Sequence, residues 1–383
     1  MPLSASSMKS QRLVAPIVAL IAALSGCATQ DDPSRSTGRP LSAEEGRTLV
    51  SRLLPENVAD RAGWSTDIFA AIATLEIAPT AENLCAAIAV TEQESGFRVD
   101  PPVPGLSAIA WKEIDRQRAS AGIPKLVLDA ALALPSSNGK SYAERLDGVK
   151  TEHQLSELFE DLIGRVPLGK TFLADRNPVR TGGPMQVSIA FAQAQAEGRG
   201  YPYPVTTSIR REVFTRRGGM YFGIAHLLDY PASYDRPLYR FADFNAGRHA
   251  SRNAAFQSAV TQATGIPLVL DGDLLRYEDG QPAREPGNTE LAVRALARRL
   301  DMGVADIRRD LELGKGAAFE RSALYARVFA IVERSTGKPV PRAVVPQILL
   351  SSPKITRKLT TDWFANRVND RYERCLRRSR SAA

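Results

Sequence analysis

Three short runs carry the side chains best placed for chemistry. Glu94-Ser95-Gly96-Phe97 closes an apolar helical stretch, Gly183-Pro184-Met185-Gln186 follows, and Phe244-Asn245-Ala246-Gly247 comes last. Glu94 can act as a proton donor only if its carboxyl is still protonated near the working pH. Two features of its setting push that way. It lies in the last turn of its helix, where exposed carbonyls disfavour added negative charge. Its neighbours four and seven residues back are Val90 and Ala87, so one flank is apolar and favours the neutral acid. Glu92 has a similar neighbour in Ile88, so periodicity alone does not choose between the two glutamates. Around such an acid, Met185 offers an adaptable apolar contact, and Gln186 and Asn245 each offer a donor and an acceptor. Ordinary core packing is the plainer role for Met185 and Tyr221 taken singly. His153, His226 and His249 show no metal-ligand spacing, and no Gly-x-Ser-x-Gly elbow or phosphate-binding glycine loop occurs. No metal or cofactor is therefore expected.

In this order the three runs resemble the lysozyme-like catalytic domain of the soluble lytic transglycosylase type. That family carries a glutamate before a serine, then a Gly-Leu-Met-Gln-type segment, then Tyr-Asn-Ala-Gly. Gly218-Gly219-Met220-Tyr221-Phe222 is similar to the family's Gly-x-x-Tyr-Leu helix before the last motif, and the resemblance covers roughly residues 80–260. It implies a mainly α fold of the α+β lysozyme-like kind. It points to Glu94 rather than Glu92 as the catalytic residue, with Ser95, Met185, Gln186, Tyr221, Phe244 and Asn245 binding substrate. It implies peptidoglycan as substrate, cleaved between N-acetylmuramic acid and N-acetylglucosamine to a 1,6-anhydromuramyl product. One carboxylate suffices for that chemistry, because the muramyl 6-hydroxyl attacks its own C1 and no water is consumed. A hydrolytic lysozyme normally uses a second carboxylate at a defined separation.

Two departures from the family stand out. Gln186 lies 92 positions after Glu94, where the family leaves a few tens, so residues of about 100–180 read as an insertion, a lid or an extra wall. Phe244 stands where the family has tyrosine, which removes a hydroxyl that helps hold the acid; Tyr221 or Tyr239 could supply one instead. A non-catalytic peptidoglycan-binding protein with a degenerate groove is the alternative that shares every motif.

Helices must position these residues. Residues 43–54 and 66–75 show apolar positions at helical spacing. Thr80 can cap a helix over 81–94, which Ser95-Gly96 can end. Residues 126–134, 155–163, 208–229 and 250–264 also read as helices, and 289–300, 304–313 and 317–334 as basic amphipathic ones. The break at Gly265-Ile266-Pro267 suggests a lysozyme-like domain over 46–264 and a C-terminal helical region over 265–383. Within that region, residues 296–311 look faintly like a helix-turn-helix, but a solvated basic face is the better reading for an exported protein.

The N-terminus says where the protein works. Lys9 and Arg12 precede the apolar run of residues 13–24, too short to span a bilayer comfortably. Leu24-Ser25-Gly26-Cys27 resembles a lipobox, which implies a signal peptide over 1–26, lipidation of Cys27 and a flexible tether over 27–45. Ala28 rather than Asp follows, which favours the outer membrane, with the acyl chains anchoring the chain and not spanning the bilayer. The formal charge is +8 and falls to +6 without Lys9 and Arg12, suited to peptidoglycan with its peptide carboxylates and, after export, not to nucleic acid. Cys85 and Cys375 remain, either as a bridge, which the periplasm permits, or as two buried thiols.

Overall fold

The computed structural model describes residues 41–165, 171, 176–278, 280–350 and 357–381. The expected signal segment, Cys27 and most of the expected tether lie outside the described residues. The described residues begin inside the stretch expected as tether. Ser42 caps α1 (Ala43–Leu53) in a reciprocal box with Glu45, whose carboxylate accepts from the Ser42 N–H at 2.8 Å. α2 (Arg61–Thr74) packs against α1, and α3 (Ala81–Glu94) runs through the middle. Thr80 caps α3 as its sequence suggests, its hydroxyl accepting from Asn83 N–H at 3.3 Å. Every residue from 84 to 91 is buried, so α3 is hydrophobic all round, as a central helix must be.

The stretch expected as an insertion is helical among the described residues: α4 (Leu106–Ser120), α5 (Lys125–Leu132), α6 (Tyr142–Asp147) and α7 (Glu152–Arg165). Its base is pinned where Val103 N–H donates to Lys150 O at 2.9 Å. Leu106, Leu132, Tyr142, Leu146 and Leu158 join the same hydrophobic core as α3, so it is built into the domain. The antiparallel pair β1 (Thr181–Gly182) and β2 (Val187–Ser188) follows, then α8 (Ile189–Arg199). The single helix expected over 208–229 is two, α9 (Ile209–Val213) and α10 (Arg216–Leu228). Thr215 separates them: its backbone is extended and its hydroxyl accepts from Gly218 N–H at 3.0 Å, a fresh N-cap.

Next come α11 (Pro237–Ala246) and α12 (Ala250–Thr264), then the short pair β3 (Tyr277–Glu278) and β4 (Gln281–Pro282). Helices α13 (Asn288–Ala295), α14 (Ala297–Leu300), α15 (Val304–Glu312) and α16 (Ala323–Thr336) build a second hydrophobic core. The strands β5 (Leu349–Leu350) and β6 (Leu359–Thr360) pair before α17 (Thr361–Ser381). The boundary expected near 265 does not separate the two cores. α12, before it, gives Phe256 and Val260 to the second core, while α17, after it, gives Phe364, Val368 and Tyr372 to the first. α17 lies on α3 and α11, and a disulfide between Cys85 and Cys375 fastens it to α3. The fold is thus mainly helical. No helix among the described residues is long and apolar enough to cross a membrane.

Candidate functional site

Glu94 is the last residue of α3 and is half-buried. The apolar flank read from sequence is present, since Val90 and Ala87 are fully buried. Ser95 turns its hydroxyl back onto its own helix, donating to Thr91 O at 3.1 Å. Gly96 and Phe97 then take left-handed backbones, at φ 58° and 61°. Phe97 is not glycine, so this costs strain, held by an edge-on contact between its ring and Trp64 at 5.3 Å.

The two glutamates that periodicity could not separate stand on different faces of α3. Glu92 accepts from Arg374 Nη2 of α17 at 3.1 Å and lies 3.6 Å from Arg371 Nε. Two residues along, Glu94 leaves the helix about 200° round from it. A pocket of ≈ 270 Å³ opens on the Glu92 side, lined by Pro55, residues 57–59, Glu92 and residues 96–98. A more open depression of ≈ 460 Å³ runs along the outer face of α1 past Ser42, Thr48 and Arg52, and touches none of the motifs.

Gly183-Pro184-Met185-Gln186 is the turn joining β1 to β2, closed by Gln186 N–H donating to Gly183 O at 3.1 Å. The turn is seated in α10. A Cβ on Gly219 would lie 2.4 Å from Pro184 Cδ, and one on Gly223 2.4 Å from Met185 Sδ. Glycines one turn apart therefore leave the notch that the hairpin fills. Gln186 is half-buried with φ 50°, and its side-chain Nε2 donates to Gly183 O at 3.3 Å.

The third run ends α11. Phe244 lies against His226 of α10, ring to ring at 5.1 Å, and its carbonyl is 3.3 Å from His226 Nε2. Asn245 is exposed, and its Oδ1 accepts from the hydroxyl of Thr361, the first residue of α17, at 2.9 Å.

The helix that carries the first run, and the other two runs themselves, thus meet one helix, α10. Thr91, a turn before Glu94, donates its hydroxyl to Ala87 O at 2.8 Å and lies 3.7 Å from Met220 Sδ. Met185 sits on Gly223 and Phe244 on His226. These contacts run from Met220 to His226, about 9 Å of the axis of α10. Glu94, Gln186 and Phe244 are half-buried and Asn245 is exposed, so these four can meet a solute. The others expected to bind substrate do not present themselves to one. Met185 is fully buried as the plug of the Gly223 notch. Ser95 is buried with its hydroxyl spent on Thr91. Tyr221 is buried, with its hydroxyl donating to Gly200 O at 3.2 Å. That bond also disposes of Tyr221 as a stand-in for the hydroxyl missing at Phe244. Tyr239 instead faces Tyr234, ring to ring at 5.7 Å.

Next to Phe244 lies a polar knot that sequence reasoning missed. Asp243 is fully buried and accepts from Tyr234 OH at 2.6 Å, Tyr230 OH at 3.0 Å, His249 N–H at 2.9 Å and Ser251 N–H at 2.7 Å. Burial pushes its carboxyl above the usual range, against the pull of those donors. Burial, with Arg248 beside it, holds His226 neutral with a pKa of about 4. Burial, with Arg252 and Arg248, takes His249 to about 3. The knot fixes the α11–α12 corner that carries Asn245. The one hint in the sequence is an aspartate within the otherwise apolar run Phe241-Ala242-Asp243-Phe244. No cluster of three or more metal-ligating side chains occurs among the described residues.

The family described as "Protein of unknown function (DUF1615)" matches residues 57–378. The uncharacterized protein YaiW of Escherichia coli (strain K12) is 51% identical over 354 residues, which cover 92% of this chain and 95% of that protein. No solved structure gives a significant match.

Proposed function

The chain belongs to the family of proteins of unknown function DUF1615, which brings no activity with it, and from its own residues we propose that it is a lipid-anchored lytic transglycosylase of peptidoglycan. The observation that carries this reading is the packing of α3, which ends in the first run, and of the other two runs along about 9 Å of α10, with Glu94, Gln186, Phe244 and Asn245 left accessible. A buried central helix that ends in a half-buried glutamate with an apolar flank suits a proton donor.

In the proposed reaction Glu94 protonates the glycosidic oxygen between N-acetylmuramic acid and N-acetylglucosamine. The bond breaks as the muramyl ring becomes oxocarbenium-like. The Glu94 carboxylate then takes the proton of the muramyl 6-hydroxyl, whose oxygen bonds to C1 and closes the 1,6-anhydro ring. The acid is regenerated and water is not consumed. Gln186 and Asn245 hold the sugar's polar groups, Asn245 with its Oδ1 already occupied by Thr361 and its amide N–H groups left to donate. Cys27 carries the lipid, and Ala28 directs the protein to the outer membrane facing the periplasm.

A second reading, a non-catalytic peptidoglycan-binding lipoprotein, is favoured by Phe244, which carries no hydroxyl where the resembled family has tyrosine, and by the burial of Met185. Incubation with purified sacculi separates the two. The enzyme releases soluble muropeptides, Glu94→Gln abolishes release while still sedimenting with sacculi, and Glu92→Gln retains release. Co-sedimentation without release by the unsubstituted protein, over a range of pH, would establish the binder instead.

A further inference from the structure

The pocket on the Glu92 side of α3 takes no part in that reaction, yet its composition is lopsided. Glu92 on its wall is shared by Arg374 and Arg371. Arg98 stands at its edge, exposed, and makes no ion pair among the described residues. Behind it, Arg378 donates from Nε to Leu53 O at 2.9 Å while its buried Nη2 finds no acceptor, and Arg61 donates to Pro55 O. Burial, eased by Glu92 and worsened by the neighbouring guanidinium groups, pulls Arg371 and Arg378 below the usual arginine range.

The opposing charges are few. Asp60, next to the pocket turn, is already bound to Arg216. Glu56 is exposed on the same turn. The carbonyl ends of α1 and α3 contribute roughly half a charge each, and those of α1 are covered by Arg61 and Arg378. Of the five arginines Arg98 alone lines the pocket; Arg371 and Arg374 take up the charge of Glu92, so Arg98 is left without a protein carboxylate partner among the described residues. The amide N–H groups of Gly96, Phe97 and Arg98 also donate to no protein acceptor among the described residues. Pro55, Val58 and Phe97 supply an apolar wall beside these donors. Donors without acceptors, cationic surroundings and an apolar wall are what a carboxylate on a larger, partly apolar body requires.

We infer that this pocket is a carboxylate-binding site, separate from Glu94, that holds the stem peptide of peptidoglycan through Arg98 and the amides of residues 96–98. The carboxylate follows from the pocket itself, and the stem peptide as its source rests on the peptidoglycan reading above. The site would select peptide-bearing over stripped glycan and hold the strand against the end of α3.

The test is calorimetric titration of the full-length protein in detergent with a monomeric disaccharide muropeptide, which has no internal bond for Glu94 to cleave. Parallel titrations use the same muropeptide with its carboxylates amidated, and N-acetyl-D-alanine as a free small carboxylate. The free-acid muropeptide should bind about tenfold or more tightly than the amidated one, the scale of one charge-assisted hydrogen bond. Arg98→Gln should erase that difference, Arg98→Lys should retain most of it, and Glu94→Gln should leave it intact. Equal binding of the acid and amide forms, or an unchanged preference in Arg98→Gln, overturns the site. N-acetyl-D-alanine binding as tightly as the muropeptide overturns the stem peptide as ligand. Release of muropeptides from sacculi without carboxylate preference leaves the catalytic reading standing and this one fallen, and carboxylate preference without release does the reverse.

Discussion

Cutting the Cys85–Cys375 bridge should lower stability without releasing α17. The bridge joins residues 290 apart. Loop-closure entropy for so long a loop gives about 6 kcal/mol, whereas native bridges deliver about 2–5 kcal/mol in practice. α17 has a grip of its own. Phe364, Val368 and Tyr372 are buried, and side chains of that kind contribute about 1.5–3 kcal/mol each. Arg371 and Arg374 add their pairing with Glu92. Those contributions match or exceed the bridge, so the helix stays docked once the covalent tie is gone. The compact unit Asp32–Ala383 has an unfolding entropy of about 2.1 cal/mol/K per residue, so a loss of about 2–6 kcal/mol lowers Tm by about 3–8 °C. Thermal melts by circular dichroism of a Cys85→Ala/Cys375→Ala variant, with and without reductant, read this directly. The variant should keep native helix content, melt lower and ignore reductant, while reductant brings the unsubstituted protein to the same Tm. An unchanged Tm would refute the clamp, and loss of helix at room temperature would refute the independent grip of α17.

Acid should destabilise the protein through its buried histidines. Between about pH 6.5 and the folded pKa values of about 4 for His226 and about 3 for His249, the unfolded chain binds the proton and the folded chain does not. Stability therefore falls as pH falls through that window, by about 2 kcal/mol per histidine from pH 7 to pH 5. Urea midpoints at the two pH values should show it, and His226→Gln should flatten the difference; an unaltered difference in that variant would count against the assignment. Gly183→Ala should cost more than about 2 kcal/mol, because its backbone is left-handed and the new Cβ would meet Val213 O at 2.0 Å. Gly198→Ala in α8, with open space around it, should be neutral or stabilise by up to about 1 kcal/mol. Equal melting temperatures for the two variants would contradict the seating of the hairpin. Tyr234→Phe removes the shorter tyrosine bond to buried Asp243 and should cost about 1–3 kcal/mol, measured by urea unfolding; a cost within error would remove the knot as a structural element.

The parts of the fold written in local signals were legible in the sequence. Thr80 and Ser95-Gly96 mark both ends of α3, and the structure uses those ends. α17 was not legible. Its apolar residues Phe364, Val368 and Tyr372 are interrupted by arginines, and the helices they pack on come from far earlier in the chain. Thr215 split an expected helix because one hydroxyl at an N-cap outweighs continuous helical periodicity. At the site, residue type could name Met185 and Tyr221 but not say whether they face a cleft or a core. That depends on Gly219 and Gly223, which receive the hairpin. Glu92 and Glu94 were equivalent by periodicity, and only the packing of α17 on α3 shows that Arg371 and Arg374 reach Glu92. Elimination narrowed the cysteines to one pair, but only the packing of α17 on α3 brings Cys85 and Cys375 together.

The most direct measurement of the central claim is the isotopic composition of muropeptides released in water enriched in heavy oxygen. The proposed chemistry closes the muramyl 6-oxygen onto C1 and consumes no water. Mass spectrometry should therefore find 1,6-anhydromuramyl ends that carry no label, and none from Glu94→Gln. Labelled reducing ends would mean that water attacks C1, which requires a second catalytic group and contradicts the single-glutamate account.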